Sequence, residues 1–301
     1  MRIHEDWFSP SFSMRPVAEA PGPFPRRAFL ELWWDQYSRP SDRLLIAEEP
    51  GAGLVPLVIR NGRVEFAGEP DLCDYHSPLG PAAAVAVEEV LPEVRGRRFR
   101  FDSLPAEAAE VVAEGLAAAG AHADPVRHEV AAVLTLDTGY AGWLDGIGKK
   151  ERHEVRRKLR RCTADLGELG LVRDAGAFSA FVAMHRSAPG DKGAFLTEQT
   201  EMFFAALLAD GGAVLDVLTA SGRPVAAAFG FEDDEGYYLY NSAYESDVAA
   251  SSPGIALLAH LIEARAGAGV TRFDFLKGDE PYKFRLGAAP RPLYALEGIL
   301  P

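Results

Sequence analysis

Apolar and polar positions alternate most legibly between Val225 and Lys283. Residues 225–231 are apolar, 232–236 form a polar stretch ending in Gly236, and 237–244 are apolar and aromatic. Two such runs around a Gly-ended polar turn predict a β-hairpin, with Gly236 in the left-handed region. Ser251-Ser252-Pro253-Gly254 then opens a helix, with Ser252 as N-cap and Pro253 at the first helical position, where a missing N–H costs nothing. Ile255, Leu258 and Ile262, with Leu257 and Leu261, recur at helical spacing, and Gly267 and Gly269 end the helix. Residues 271–276 read as a short buried strand, and 277–283, KGDEPYK, as the charged loop after it.

The same order is predicted earlier in the chain. After a Pro-rich start, residues 26–38 form a helix and 44–48, 53–59 and 63–67 form strands, with Asn61-Gly62 as a hairpin turn. The loop Asp74-Tyr75-His76-Ser77-Pro78 leads into a helix over 81–94, a strand over 98–104 and a helix over 106–119. Arg100-Phe101-Asp102-Ser103-Leu104 matches Arg272-Phe273-Asp274-Phe275-Leu276, and Ser77-Pro78 echoes Ser252-Pro253. This reads as a degenerate internal duplication into two α/β (α+β) halves, residues 1–125 and 126–301. In the second half, strands are predicted at 129–136, 171–173, 213–219 and 293–300, and helices at 148–169, 176–187 and 198–209, with 188–197 as a loop.

Composition narrows the classes. The chain has 301 residues, 48% of them apolar, enough to bury a core without covalent staples. Cys73 and Cys162 are two isolated cysteines, which excludes a disulfide framework or cysteine-based zinc site, and the seven histidines form no metal-ligand spacing. No metal is expected. No apolar run approaches the ~20 residues of a membrane span, and the N-terminus lacks the apolar core of a signal peptide, which predicts a soluble cytoplasmic protein. The net charge of −13 disfavours nonspecific binding of nucleic acid by the protein as a whole. Against that background residues 149–161, KKERHEVRRKLRR, hold eight Lys or Arg and two Glu. Val155, Leu159, Cys162 and Leu166 form the inward stripe of this helix, while Lys149, His153, Arg156 and Arg160 make one outward row. A solvated face, an anion site, and an RNA or tRNA contact remain open for it.

The helix that starts at Pro253 has a chemical consequence. Its first turn carries unpaired N–H groups at the positive end of the helix dipole. Pro253 donates nothing, so the donors are Gly254, Ile255 and Ala256, and Gly254 lets an anion approach the backbone. A phosphate or pyrophosphate fits there; a plain capped helix fits equally.

The segments GIGKKERHEVRRKLRR and SSPGIALLAHLIEARAGAGVTRFDFLKGDEPYK resemble the CelD/BcsL-type acyltransferase domain, a branch of the GNAT superfamily. That branch is similar to the Fem-type peptidoglycan aminoacyl transferases, which also carry two GNAT-like halves. The resemblance lies in Arg152, Arg156 and Arg157 of the basic segment, in Phe275-Leu276-Lys277-Gly278-Asp279-Glu280-Pro281-Tyr282-Lys283, and in Asp74-Tyr75 of the first half. It implies two tandem GNAT-like halves, each a mixed, mainly antiparallel sheet flanked by helices. It implies an acyl-CoA donor, acetyl-CoA first, held at Ser252, Gly254, Ile255 and Ala256, and an amine or hydroxyl acceptor on a small molecule or polymer. The general GNAT pyrophosphate loop carries two small turn positions, whereas Ala249 to Ala256 has the single Gly254, so an aminoacyl-tRNA donor stays open.

Acyl transfer to an amine needs a deprotonated nucleophile and a proton for the leaving group. Asp279, on the loop after the last core strand, is the expected base, with Tyr282 or Tyr244 as proton donor to a leaving thiolate. Lys283, Arg152 and Arg156 are expected to bind substrate, with Asp74, Tyr75 and His76 lining a cleft from the first half. No nucleophile elbow is visible, which predicts direct transfer with rate from positioning. The rival readings are a Fem-like tRNA-dependent aminoacyl transferase and a non-catalytic ligand-binding relative.

Overall fold

The computed structural model describes residues 1–210 and 212–301. In chain order the elements are β1 (Arg2–His4), α1 (Arg27–Tyr37), β2 (Arg43–Glu49), β3 (Gly53–Arg60), β4 (Arg63–Phe66), α2 (Ala83–Val90), β5 (Arg98–Pro105) and α3 (Ala106–Ala118). There follow β6 (Val126–Thr135), α4 (Gly139–Gly146), α5 (Lys149–Leu166), β7 (Leu169–Arg173), α6 (Phe178–Arg186), α7 (Asp191–Phe195) and α8 (Glu198–Ala209). The last group is β8 (Ala213–Ala220), β9 (Arg223–Asp233), β10 (Gly236–Tyr244), α9 (Pro253–Gly267), β11 (Arg272–Lys277), α10 (Pro281–Arg285) and β12 (Ala289–Ile299). They fall into two compact units, Met1–Ala131 with Arg291–Pro301, and Ala132–Pro290. Among the described residues no helix is long and apolar enough to cross a membrane.

The first unit orders its strands β1-β2-β3-β4-β5-β12. All neighbours are antiparallel except β4 and β5. Asn61 and Gly62 both take positive φ, 51° and 77°, as a two-residue hairpin between Arg60 and Arg63 requires. The sequence boundary at residues 125 and 126 leaves the last strand in the second half, but the structure returns it to the first. β12 pairs antiparallel with β5 from Leu293↔Pro105 to Ile299↔Arg98, and Leu296 and Leu300 enter the first unit's core. Burial of those leucines decides the assignment, which nothing local in the sequence marks.

In the second unit the order is β6-β11-β10-β9-β8-β7. β10 is parallel to β11, and the strands from β10 outward to β7 are antiparallel. Both units thus hold a mixed, mainly antiparallel sheet flanked by helices. On one face of the second sheet, Ala226 and Ala228 of β9 meet Leu257, Leu261 and Ile262 of α9, with Val155 and Cys162 of α5 in the same core. On the other face Phe229 packs against Phe181 of α6 and Phe204 of α8, with ring centroids 5.9 and 4.5 Å away.

Three local expectations change. Gly236 is not among the positive-φ glycines; a Cβ there would lie 2.8 Å from the Arg272 carbonyl, so the site needs small size rather than left-handed backbone. The turn is closed instead by Asp233, whose Oδ1 accepts the Glu235 and Gly236 N–H groups at 3.0 and 3.1 Å. α7 lies inside the segment read as a loop, α10 begins inside the KGDEPYK stretch and runs on to Arg285, and α4 precedes the basic helix. At five, five and eight residues these helices are too short to show an apolar period.

A buried ion pair ties the second unit together. The Arg265 guanidinium of α9 donates to Asp216 of β8, which also accepts from Tyr237 Oη at 3.2 Å and Arg173 Nε at 3.4 Å. Removing one partner of such a pair leaves an uncompensated charge. Arg265→Leu is therefore expected to lower unfolding stability by about 3 kcal/mol, read as a fall in the urea midpoint with unchanged slope.

Candidate active site

The parallel pair β10–β11 holds register at only two positions, Tyr237↔Phe273 and Tyr238↔Asp274. Two features end it. In β10 the register with β9 shifts between Leu239 and Asn241, placing Tyr240 in a bulge that re-aims the rest of the strand. In β11 the buried Asp274 carboxylate accepts the Leu276 N–H at 2.8 Å, and Leu276 takes a left-handed φ of 59°. An amide that would extend a ladder is bound to a side chain instead. A leucine at positive φ is strained, and such strain persists only where the surroundings enforce it. Beyond Tyr238, β10 therefore presents backbone that β11 does not cover.

α9 begins beside that opening. Ser252 sits at the N-cap position, but in left-handed conformation (φ 64°, ψ 43°) and with no side-chain cap bond. The expected capping hydroxyl is thus absent, because the left-handed backbone turns it away from the first turn. The Ala256 N–H, expected to be free, donates to the Ser252 carbonyl at 3.2 Å. Gly254 and Ile255 remain as the uncommitted donors among the described residues. A Cβ on Gly254 would stand 3.2 Å from Cδ1 of Tyr244, so the ring of Tyr244, itself 41% exposed, lies across the glycine. Ser251 anchors this corner to the basic helix by donating to Asp165 Oδ2 at 2.8 Å.

Between the starts of α5 and α9 and the turn of α10 lies a cleft of about 310 Å³. Ile255, Tyr282, Lys150, Lys158 and Arg285 are on its walls, with Glu151 and Glu154. Glu154 accepts from Arg157 at 2.7 and 2.8 Å, which holds its carboxyl down at about 2, and stands 3.7 Å from Lys158 Nζ. With Glu154 satisfied by Arg157, the walls keep an excess of positive charge. Tyr282 packs edge-on against Phe275, 6.3 Å between centroids. Burial first, and then Glu280, raise its pKa far enough that the hydroxyl keeps its proton at neutral pH. Tyr282 and Ile255, expected as proton donor and donor-binding residue, thus share one cleft. Lys158 was not singled out from the sequence. The available signal was the i, i+4, i+8 row Lys150, Glu154, Lys158, which puts them on one helix face.

The KGDEPYK loop is organised from within. Lys283 is 3% exposed, and its ammonium donates to the carbonyls of Lys277 at 2.5 Å and of Leu276 and Gly278 at 3.4 Å, and pairs with Glu280 at 2.9 Å. The lysine expected to bind substrate is consumed by its own loop. Asp279 is exposed on the same loop. Of the other basic residues, Arg152 donates to the carbonyls of Leu144 and Asp145, both at 3.2 Å, closing the end of α4 rather than facing outward. Arg156 is exposed and has no ion-pair partner among the described residues, as have Lys149, Lys150 and Arg160.

The first unit repeats the parallel strand pair and then closes it. β4 and β5 also register at two positions only, Arg63↔Arg98 and Val64↔Phe99. Here the loop of Asp74, Tyr75 and His76 fills the gap: the His76 N–H donates to the Ser103 carbonyl at 2.9 Å, Nδ1 donates to the Asp102 carbonyl at 2.9 Å, and the ring stacks on Phe66 at 5.5 Å. Tyr75 is fully buried, edge-on to Phe24 and under the Arg291 guanidinium at 4.9 Å. Tyr75 and His76, expected to line a cleft, are core residues of their unit, because aromatic surface in a strand gap gains more from packing than from water. Asp74 is partly exposed beside them. Among the described residues no group of three or more His, Cys, Asp or Glu is placed to hold a metal.

Residues 149–284 match the family model described as an acetyltransferase (GNAT) domain, a span that holds the parted strands and most of the cleft's walls. No curated protein matches the sequence. Among solved structures, the chain resembles the crystal structure of FemX, at 12% identity over 96% of this chain and 94% of that one, with a TM-score of 0.63. It also resembles a conserved protein of unknown function from Bacteroides thetaiotaomicron VPI-5482, at 10% identity over 95% and 94% of the two chains, with a TM-score of 0.65. These likenesses are of fold. The GNAT acetyltransferase domain match rests on residues 149–284, and the chain shares its fold with FemX.

Lys283→Met removes the ammonium bound to three consecutive carbonyls, those of Leu276, Lys277 and Gly278. The loss is expected to cost about 2 kcal/mol and to speed amide hydrogen exchange across residues 277–280, while β8 and β9 keep their protection.

Proposed function

We propose that the second unit transfers an acyl group from an acyl-CoA to an amine or hydroxyl acceptor by direct attack. The observation that carries this reading is the shared cleft of Ile255, Tyr282, Lys150, Lys158 and Arg285 at the start of α9. Two N–H groups at a helix start and three cations suit a diphosphate, whose oxygens need both donors and countercharge. The parted strands supply the second requirement, a backbone edge to hold the extended arm and acyl carbonyl of a thioester.

In this mechanism the acceptor amine, mostly protonated at neutral pH with a pKa near ~10, gives its proton to Asp279 directly or through water. The N–C bond forms as the C–S bond breaks, the leaving thiolate takes the Tyr282 proton, and the second nitrogen proton, lost as the amide forms, returns to the Tyr282 phenolate. Asp279 then releases its proton to solvent. β10 amides beyond the bulge stabilise the oxyanion, the contribution that usually dominates such reactions. A second reading has one supporting observation. The exposed row of Lys149, Arg156 and Arg160 on α5, without ion-pair partners among the described residues, suits a nucleic-acid backbone, as an aminoacyl-tRNA donor requires.

Calorimetry with acetyl-CoA and longer acyl-CoAs tests the first reading: micromolar binding is expected, lost in Gly254→Asp and weakened about tenfold in Lys158→Ala with Arg285→Ala. Salt-sensitive binding of tRNA with no binding of acyl-CoA supports the second reading instead, and binding of neither favours a relative without turnover. Tyr282→Phe is expected to lower kcat by about 10²-fold with donor affinity unchanged, measured as thiol release in a steady-state assay.

A further inference from the structure

The imidazole of His185, on α6, is 1% exposed and makes a single hydrogen bond. Its Nε2–H donates to Oδ1 of Asn241 at 2.9 Å, and Nδ1 is buried with no partner. The rings of Phe181 and Phe195 lie 5.8 and 6.1 Å from it and restrict its rotation. A buried, half-satisfied imidazole is a costly occupant of a phenylalanine-rich core, where an apolar side chain would leave no orphaned nitrogen. What the apolar residue could not do is hold Asn241. That residue follows Tyr240, the bulge that parts β10 from β11.

We infer that His185 is a positioning residue for acyl transfer: through Asn241 it fixes the bulged stretch of β10 in the conformation that offers its backbone to the acyl carbonyl. This rests on the acyl-transfer reading above for its catalytic consequence, though not for the geometry. The ring does not itself act as the base, because Nδ1 is sealed from solvent and substrate. Burial, and then the Lys192 ammonium of α7, push its pKa down, so the ring stays neutral and Nε2 keeps the proton that Asn241 accepts. Burial lowers the pKa of Lys192 in turn, with Glu280 of the KGDEPYK loop acting the other way, so α7 stands between the imidazole and the loop that bears Asp279. Bulges beside active sites aim backbone and side chains, and here the aim is set from the opposite face of the sheet to α9.

The test compares His185→Leu, His185→Gln, Asn241→Leu and the Leu double variant. Thiol release from acetyl-CoA is measured with hydroxylamine as the nucleophile, and amide exchange is measured over residues 240–244. His185→Leu is expected to lower kcat at least tenfold with the acetyl-CoA dissociation constant within threefold of wild type. Asn241→Leu should match it, and the double variant should be no slower than the slower single one, because both remove the same bond. His185→Gln, whose amide can still donate to Asn241, should recover most of the turnover. Amides of residues 240–244 should exchange at least tenfold faster in both Leu variants, with those of β8 unchanged. If His185→Leu does not fold, Asn241→Leu carries the comparison. Unchanged exchange at 240–244 overturns the inference, as does a Gln variant as slow as the Leu variant, which would assign the imidazole a chemical role. Faster exchange in a protein that binds no acyl-CoA leaves the clamp standing and removes the acyl-transfer reading.

Discussion

The second unit depends on a hydrogen bond that is diverted. Leu276 gives its N–H to the buried Asp274 carboxylate rather than to a neighbouring strand, and β11 turns away in left-handed conformation. With Tyr240 bulged out of register on the facing strand, two parallel strands that begin paired at Tyr237 and Tyr238 end apart. A continuous sheet would satisfy more backbone and be more stable there. The opening is kept because the Asp274 side chain, not a strand, satisfies the Leu276 amide at its edge.

The first unit shows the same opening closed. His76 donates from both its backbone N–H and its ring Nδ1 to carbonyls of β5, and its ring covers Phe66 at the end of β4. The gap in one unit is thus a core, while in the other it borders a cleft. The difference comes from which chain segment follows the parted strands: a buried aromatic loop in the first unit, and a glycine-opened helix start in the second.

Charge is distributed to match. α5 turns Val155 and Cys162 inward and leaves a dense cationic face, part of which is neutralised locally by Glu154 and Asp165. Lys150, Lys158 and Arg285 remain at the cleft, near the two uncommitted amides of α9. Several cations that the sequence makes equally eligible are spoken for: Arg152 by the carbonyls ending α4, Lys283 by the carbonyls of its own loop. Burial turns Lys283 into a structural group, since a buried cation without acceptors would cost far more than the bonds it makes.

Much of this was legible in the residues alone. Strong apolar periods fixed α5, α8, α9 and the hairpin β9–β10, and Asn61-Gly62 fixed its turn, because these are local effects of side-chain volume and backbone freedom. The repeated Arg-Phe-Asp segment marked β5 and β11, each a member of its unit's parallel pair, and the resemblance in residues 149–161 and 253–283 marked the GNAT domain. Tertiary structure alone decided the rest. It returned β12 to the first unit, buried Tyr75 and His76, took the capping role from Ser252, and drew Lys283 into its loop. It also brought His185 to Asn241 from 56 positions away in the chain. Propensity acts between neighbours along the chain, whereas the partner of a buried charge, a strand edge or an imidazole is chosen by which surfaces meet when water is excluded.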